Sequence, residues 1–167
     1  VLGNSDILGN FDLTAASIDQ SAGIRINGLT RLNSGRGDIN LGVDGNGLPI
    51  FTNDYSQLTI TDANNVVIAD GNELDLGDIS ISGDLTVFTA NAAVTQVGNI
   101  NLDGLIIDAG ASGDVVLTLL DSANLDEIDV NSIEIANANN VTFNNAVNVE
   151  TLRFSNAQGV ISFENEV

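Results

Sequence analysis

Apolar residues along the chain come in short alternating runs that stop before they lengthen. In GDISISGDLTVFTANAAVTQVGNINLDG, residues 77–104, pairs such as Ile79 and Ile81 or Leu85 and Val87 are cut off by Gly, Asn, Asp or Ser. Each run lasts about three to five residues and restarts after roughly eight to ten, a spacing typical of all-β folds. Asn, Asp, Gly, Thr, Val and Ile dominate the composition, so helix formation is disfavoured throughout.

This alternation is compatible with an antiparallel sandwich and with a β-solenoid, and an internal repeat distinguishes the two. GLTRLNSGRGDINL matches GLIIDAGASGDVVL, DLT occurs twice, and ANNV occurs twice in the same order; the paired ranges are 28–41 with 104–117, 12–14 with 84–86, and 63–66 with 138–141. We interpret the chain as one segment, 1–167, holding two super-repeats of about 75 residues, approximately 12–83 and 84–159.

Such a unit has too few hairpin turns for a sandwich and favours a parallel β-helix. Each coil of roughly 20–25 residues contributes two or three short strands, so the chain is predicted to form roughly seven to eight coils. Gly, Asn and Asp stand where the backbone turns a corner. The residues predicted to be buried on parallel strands are Ile79, Ile81, Leu85, Val87, Ile100, Leu102, Leu105, Ile107, Val115 and Leu117.

The charge balance is strongly acidic. Four basic residues, all Arg, stand against 23 acidic ones, for a net charge of −19. Nucleic-acid binding needs a basic footprint and is excluded, and anionic membrane surfaces would repel the chain. With no Cys, thiol catalysis, disulfides and thiolate metal sites are excluded as well. No apolar run approaches the length of a membrane span, so membrane insertion is not expected.

Segments such as SGDLTVFTANAAVTQVGNINLDG and DAGASGDVVLTL resemble the repeats of filamentous-haemagglutinin-like exoproteins. These are bacterial adhesins exported by two-partner secretion, or related autotransporter passengers. The resemblance implies a right-handed parallel β-helix that serves as a structural or adhesive shaft, located extracellularly or at the cell surface. It implies no catalytic residue and no cofactor, and it leaves open a host or cell-surface glycan or protein as receptor.

An alternative function is that of a carbohydrate-binding or carbohydrate-cleaving β-helix. Paired carboxylates can cleave a neutral glycan, and the densest acidic cluster lies in LLDSANLDEIDV, residues 119–130. No His, Lys or Arg lies near this cluster in the sequence, and a solvated turn explains it. We therefore expect no enzymatic activity.

Calcium is the most reasonable cation, because turns rich in oxygen ligands recur along the chain. The Gly-Gly pairs of calcium-binding nonapeptides and the complete EF-hand loop are both missing, so we expect no specific site. The candidate ligands, should calcium bind, are Asp44, Asp70, Glu73, Asp121, Asp126, Glu127 and Asp129.

The tripeptide Arg36-Gly37-Asp38 spells an adhesion motif that integrins recognise in exposed loops. In the internal repeat, Gly37-Asp38 aligns with Gly113-Asp114, where Ser112 replaces the Arg. This alignment favours a corner that opens a strand over an adhesion site.

Neither end of the chain carries a capping pattern. Val1-Leu2-Gly3 begins within the alternating pattern, and VISFENEV, residues 160–167, still alternates. A β-helix end without a cap presents unpaired backbone groups. We expect further coils to follow, either from the same chain or from identical subunits stacked end to end.

Overall fold

The computed structural model describes residues 1–118, 130–145 and 147–164, which form strands, turns and no helix. The strands are β1 Ser5–Ile7, β2 Phe11–Thr14, β3 Ile18–Asp19, β4 Ile24–Asn33, β5 Ile39–Leu41, β6 Asp54–Asp62, β7 Val66–Asp70, β8 Leu74–Ser80, β9 Leu85–Thr89, β10 Val94–Gln96, β11 Ile100–Asp108, β12 Val115–Leu117, β13 Val130–Asn137, β14 Val141–Phe143, β15 Thr151–Phe154 and β16 Ile161–Phe163.

Parallel pairing joins these strands into one wound sheet. Between strands of the described residues every pairing is parallel, and partners come from successive coils rather than from neighbouring strands in the sequence. The strands therefore confirm the predicted all-β solenoid. Its right-handedness remains a prediction, and so does the number of roughly seven to eight coils, since residues 119–129, 146 and 165–167 lie outside the described part.

Inward columns of apolar residues from successive coils fill the core, and three of these columns trace the course of the chain. The first contains Ile18, Ile39, Val66, Leu85, Leu105, Ile133 and Leu152. The second contains Leu74, Val94, Val115, Val141 and Ile161. The third contains Leu13, Leu32, Ile60, Ile79 and Ile100. Alternation alone produces this arrangement, because side chains of a strand point to opposite faces in turn.

The ten residues predicted to be buried are all buried in the structure. Nine of them lie within parallel strands, and Ile81 follows directly after the end of β8. Phe143 is also fully buried, and its ring stacks on Phe163 of the next coil at a centroid distance of 5.1 Å. The aliphatic core is therefore continuous along the axis of the solenoid.

The super-repeat follows the columns in an unexpected way. Ile39 lies in the first column, and three coils further along the same column is Leu105. The sequence equivalent of Ile39, Val115, lies in the strand that follows, which belongs to the second column. Leu13 and Leu85 are related by the same step, from the third column to the first. One unit thus spans three coils plus one column, so equivalent positions in consecutive units point to different sides of the solenoid.

Within the described residues, the structure contains no helix long and apolar enough to cross a membrane.

Candidate functional site

Corners of the solenoid are closed by a ladder of Asp and Asn side chains. In each step an Asx side-chain oxygen accepts a hydrogen bond from a backbone N–H of the next coil. The Asn65 Oδ1 accepts from the N–H of Asp84 at 3.2 Å, and the Asp38 Oδ1 accepts from the N–H of Asn65 at 3.1 Å. The same bonds join Asp114 to Asn140 and Asn140 to Val160. The ladder therefore repeats with the super-repeat.

In most steps of the ladder, the residue before the one that donates its N–H is a glycine, because the Asx oxygen approaches the backbone at that residue closely. A Cβ on Gly83 would meet the Asn65 Oδ1, and a Cβ on Gly159 would meet the Asn140 Oδ1. Gly28 beside Asn10 shows the same contact. An Asx residue followed by Gly about one coil later is thus the sequence signature of a corner, and the abundance of both residue types follows from it.

The Arg36-Gly37-Asp38 tripeptide lies at one of these corners. Arg36 is exposed and has a φ of 74°, and the turn closes through a hydrogen bond from the Gly37 N–H to the Ser34 carbonyl. The Asp38 carboxylate accepts from Asn64 and Asn65 of the next coil, which lowers its pKa, the Asn65 N–H contributing most. This carboxylate is already occupied by the fold, which supports the corner interpretation; adhesion through it remains untested.

A loop of twelve residues leaves the solenoid between β5 and β6. We call residues 42–53 the corner loop. Its turn is closed by Asp44, whose Oδ1 accepts from the N–H groups of Asn46 and Leu48. These bonds lower the pKa of Asp44, the one from Leu48 most. Leu48 and Phe51 are 63% and 43% exposed, so the loop presents an apolar tip to solvent.

The root of the corner loop is a buried polar cluster. The Asn53 side chain donates to the carbonyls of Leu41 and Ala69 and accepts from the N–H of Ile24, so it connects several coils. Gln20 exchanges two hydrogen bonds with Asn53, at 2.9 and 3.0 Å. Asn53 is only 1% exposed. This amide satisfies backbone groups that the loop removes from the regular ladder.

Asp70 and Tyr55 complete the cluster. The Asp70 carboxylate is fully buried and accepts from the N–H groups of Tyr55 and Asn72, each at 2.7 Å. Burial raises the pKa of Asp70 to about 7, although both N–H bonds act in the opposite direction. Burial, with a smaller contribution from the Asp70 charge, also raises the pKa of Tyr55.

Three of the candidate calcium ligands, Asp44, Asp70 and Glu73, lie in the described residues, and they do not form a common site there. Asp70 is buried against N–H donors, the Asp44 Oδ1 accepts two loop N–H groups, and Glu73 is exposed. Among residues 1–118, 130–145 and 147–164, no three acidic side chains converge on a common point. The other candidates, Asp121, Asp126, Glu127 and Asp129, lie outside the described residues, so for them the expectation of no specific calcium site stays a prediction.

Sequence reasoning missed the buried cluster. Gln20 and Asn53 interrupt no alternating run, and Asp70 stands in ADGNE, residues 69–73, which is typical of an exposed turn. One available signal was Tyr55, the only Tyr, placed at an inward position of a largely aliphatic core. A large polar side chain there requires polar neighbours.

A model of a known repeat family matches most of the chain. The family model described as repeats of unknown function (DUF5649) matches residues 1–50 and 63–125, which is well over half of the chain. No curated protein and no solved structure matches the chain significantly. The repeat ladder and the extent of this match lead to one conclusion: the chain belongs to the DUF5649 repeat family.

Proposed function

We propose that the chain is a structural shaft segment of a bacterial adhesin or surface filament, located outside the cell and without catalytic activity. The observation that carries this proposal is the continuity of the buried core from coil to coil, from Ile18 to Phe143, with partly buried apolar residues of the first and last described coils packed against it. In such a repeat architecture each coil is stabilised by its neighbours, so length and stiffness grow by adding units. The resemblance to filamentous-haemagglutinin-like repeats supports the same function.

The last described coil has the features of an interface. Val160, Ile161 and Phe163 are 64%, 38% and 46% exposed although they continue inward columns or flank them. One face of the Phe163 ring stacks on Phe143 of the preceding coil, and no described coil lies beyond it. Val160 also bonds to Asn140 as Asp84 bonds to Asn65, which is where a new unit begins. These observations support a further coil here, from the same chain or from an identical subunit.

The outward charges suit a solvated shaft. Arg25, Arg31 and Arg153 each pair with an acid on an adjacent coil, namely Asp54, Asp12 and Glu134. Exposed pairs of this kind contribute little stability. The remaining acidic excess keeps the surface hydrated and discourages lateral association of shafts.

Duplicating one unit tests the shaft. A chain in which residues 84–159 are inserted again after residue 159 should fold, melt no lower than the parent, and be longer by about 16 Å, because one unit adds three coils plus one column at about 4.8 Å per coil. Small-angle X-ray scattering measures the maximum dimension. The matched control inserts residues 84–118 alone, which joins β12 directly to the segment of β16 although both belong to the second column, so the inward residues fall out of register. A duplicated chain that unfolds or becomes wider rather than longer would contradict the proposal.

A further inference from the structure

Asp70 lies at the root of the corner loop. It ends β7, and its two oxygens bond to backbone N–H groups on either side of the corner, at Tyr55 and Asn72. Tyr55 stands two residues after Asn53, the last residue of the loop. Gly71 donates its N–H to the Asn53 carbonyl at 2.9 Å. The loop therefore closes onto the solenoid through Asp70 and its direct neighbours.

The surroundings of Asp70 contain no basic partner. In the described part of the chain, ion pairs involve Arg25, Arg31 and Arg153, and none of them includes Asp70. Ionisation at this point places an unpaired charge in the protein interior, which is costly. Opening of the loop root would expose the carboxylate to water and relieve that cost.

We propose that Asp70 is a proton-operated latch: the corner loop is held closed when this carboxyl is protonated and opens more often when it is ionised. The latch would govern how rigidly the apolar tip, Leu48 and Phe51, is presented to solvent. It is independent of the shaft function, because the loop could open while the columns stay intact.

The groups around Asp70 indicate that Asp70, and not a neighbour, is the group that titrates here. From β6, Asp54 acts on Asp70 by repulsion, although Arg25 of β4 pairs with Asp54 at 3.3 Å. Tyr55, also on β6, stays neutral because its own pKa is raised. Glu73 follows the corner and is exposed. Gln20, directly after β3, bonds to Asn53 in the same cluster, and Thr89 of β9 is paired with Asp70; both side chains are uncharged.

The sign of the effect follows from linkage. Burial raises the pKa of Asp70 from 3.8 to about 7 in the closed state, and opening returns it to its ordinary value. The closed loop is therefore favoured fully below pH 3.8, and this preference is lost as pH rises to about 7. Between those limits, the opening equilibrium should increase by up to roughly tenfold per pH unit, and it should level off above.

Hydrogen exchange measured by mass spectrometry tests the latch. For peptides covering residues 42–57, exchange corrected for the intrinsic rate should be at least about tenfold faster at about pH 8 than at about pH 5. Peptides from β13 and β14 should show no such change. In Asp70→Asn the difference should disappear, whereas Asp44→Asn, in the exposed part of the same loop, should retain it.

Two results would overturn the latch: a parent protein whose loop exchange is independent of pH after correction, or an Asp70→Asn variant that keeps the parent's dependence. Should Asp70→Asn fail to fold, carbon-13 NMR of the parent decides. A carboxyl resonance of Asp70 that titrates with a midpoint near 7 supports the latch, and a midpoint near 4 refutes it.

Discussion

Two aspartates, Asp38 and Asp70, close corners of the same solenoid in opposite ways. Asp38 is exposed and accepts three hydrogen bonds from Asn64 and Asn65, which lower its pKa. Asp70 is fully buried, and its pKa is raised although it too accepts two backbone bonds. Hydrogen bonding is similar at both corners, so burial decides the sign of the shift.

The difference reflects what each corner must accommodate. At Asp38 the chain turns tightly, the Asx ladder runs along the surface, and water solvates the charge. At Asp70 the chain returns from the corner loop, so polar groups displaced from the ladder must be satisfied inside, by Asn53 and Gln20. The exposed corner tolerates charge and repeats with the sequence unit, whereas the buried corner is specialised.

The largest expected loss of stability comes from a charge placed in the core, against which the effects at the two corners can be compared. Leu117→Asp places an unpaired carboxylate in an inward column beside Phe143 and should destabilise by about 4 kcal/mol or more. Val97→Asp, at a site 53% exposed, is the matched control and should change stability by less than about 0.5 kcal/mol. Urea unfolding measures both. Equal stability of Leu117→Asp and parent would show that the register is wrong.

Removing one amide from each corner compares them directly. Asn53→Ala leaves the carbonyls of Leu41 and Ala69 and the N–H of Ile24 without partners and should cost about 3 kcal/mol. Asn65→Ala exposes its partners to water and should cost about 1 kcal/mol. Guanidinium unfolding at neutral pH gives the two values. The comparison fails if Asn65→Ala proves the more damaging substitution.

Acid should affect the two kinds of corner in opposite directions. The lowered pKa values of Asp38 and Asp114 mean that their stabilisation is present above pH 3.8 and lost as pH falls through the folded values. The double variant Asp38→Asn, Asp114→Asn should therefore melt below the parent at pH 5 and converge with it near pH 2. Calorimetry measures the melting temperatures. A gap that widens on acidification would contradict the assignment of these two carboxylates as ionised acceptors.

Salt should have the smallest effect, acting on the acidic exterior as a whole. Self-repulsion at a net charge of −19 is screened as sodium chloride rises, so the melting temperature should rise by a few degrees and level off. Calcium should add little beyond magnesium at equal ionic strength. A stoichiometric, calcium-specific increase would instead identify a site among the candidate ligands, and Asp44→Asn would then separate the corner loop from residues 121–129.

Much of the fold could be predicted from local patterns. Alternation identifies which side chains point inward, and Asx and Gly at regular spacing mark the corners, as at Asn65 and Gly83. The burial of Asp70 could not be predicted in this way. Its sequence neighbours are those of an exposed turn, and only the return of the corner loop from another coil covers it.

The sequence by itself determined the fold class, because period-two alternation fixes which side chains point inward and the recurring corner residues fix where each strand ends. It also determined the length of the repeat. Tertiary structure alone decided that one unit advances by three coils plus one column. The number of residues in each corner sets the length of a coil, and therefore which strand of the next coil a residue pairs with. It also decided in which direction the pKa of each carboxylate shifts, because solvation at Asp38 and Asp70 depends on neighbouring coils and on the corner loop, which are distant in the sequence.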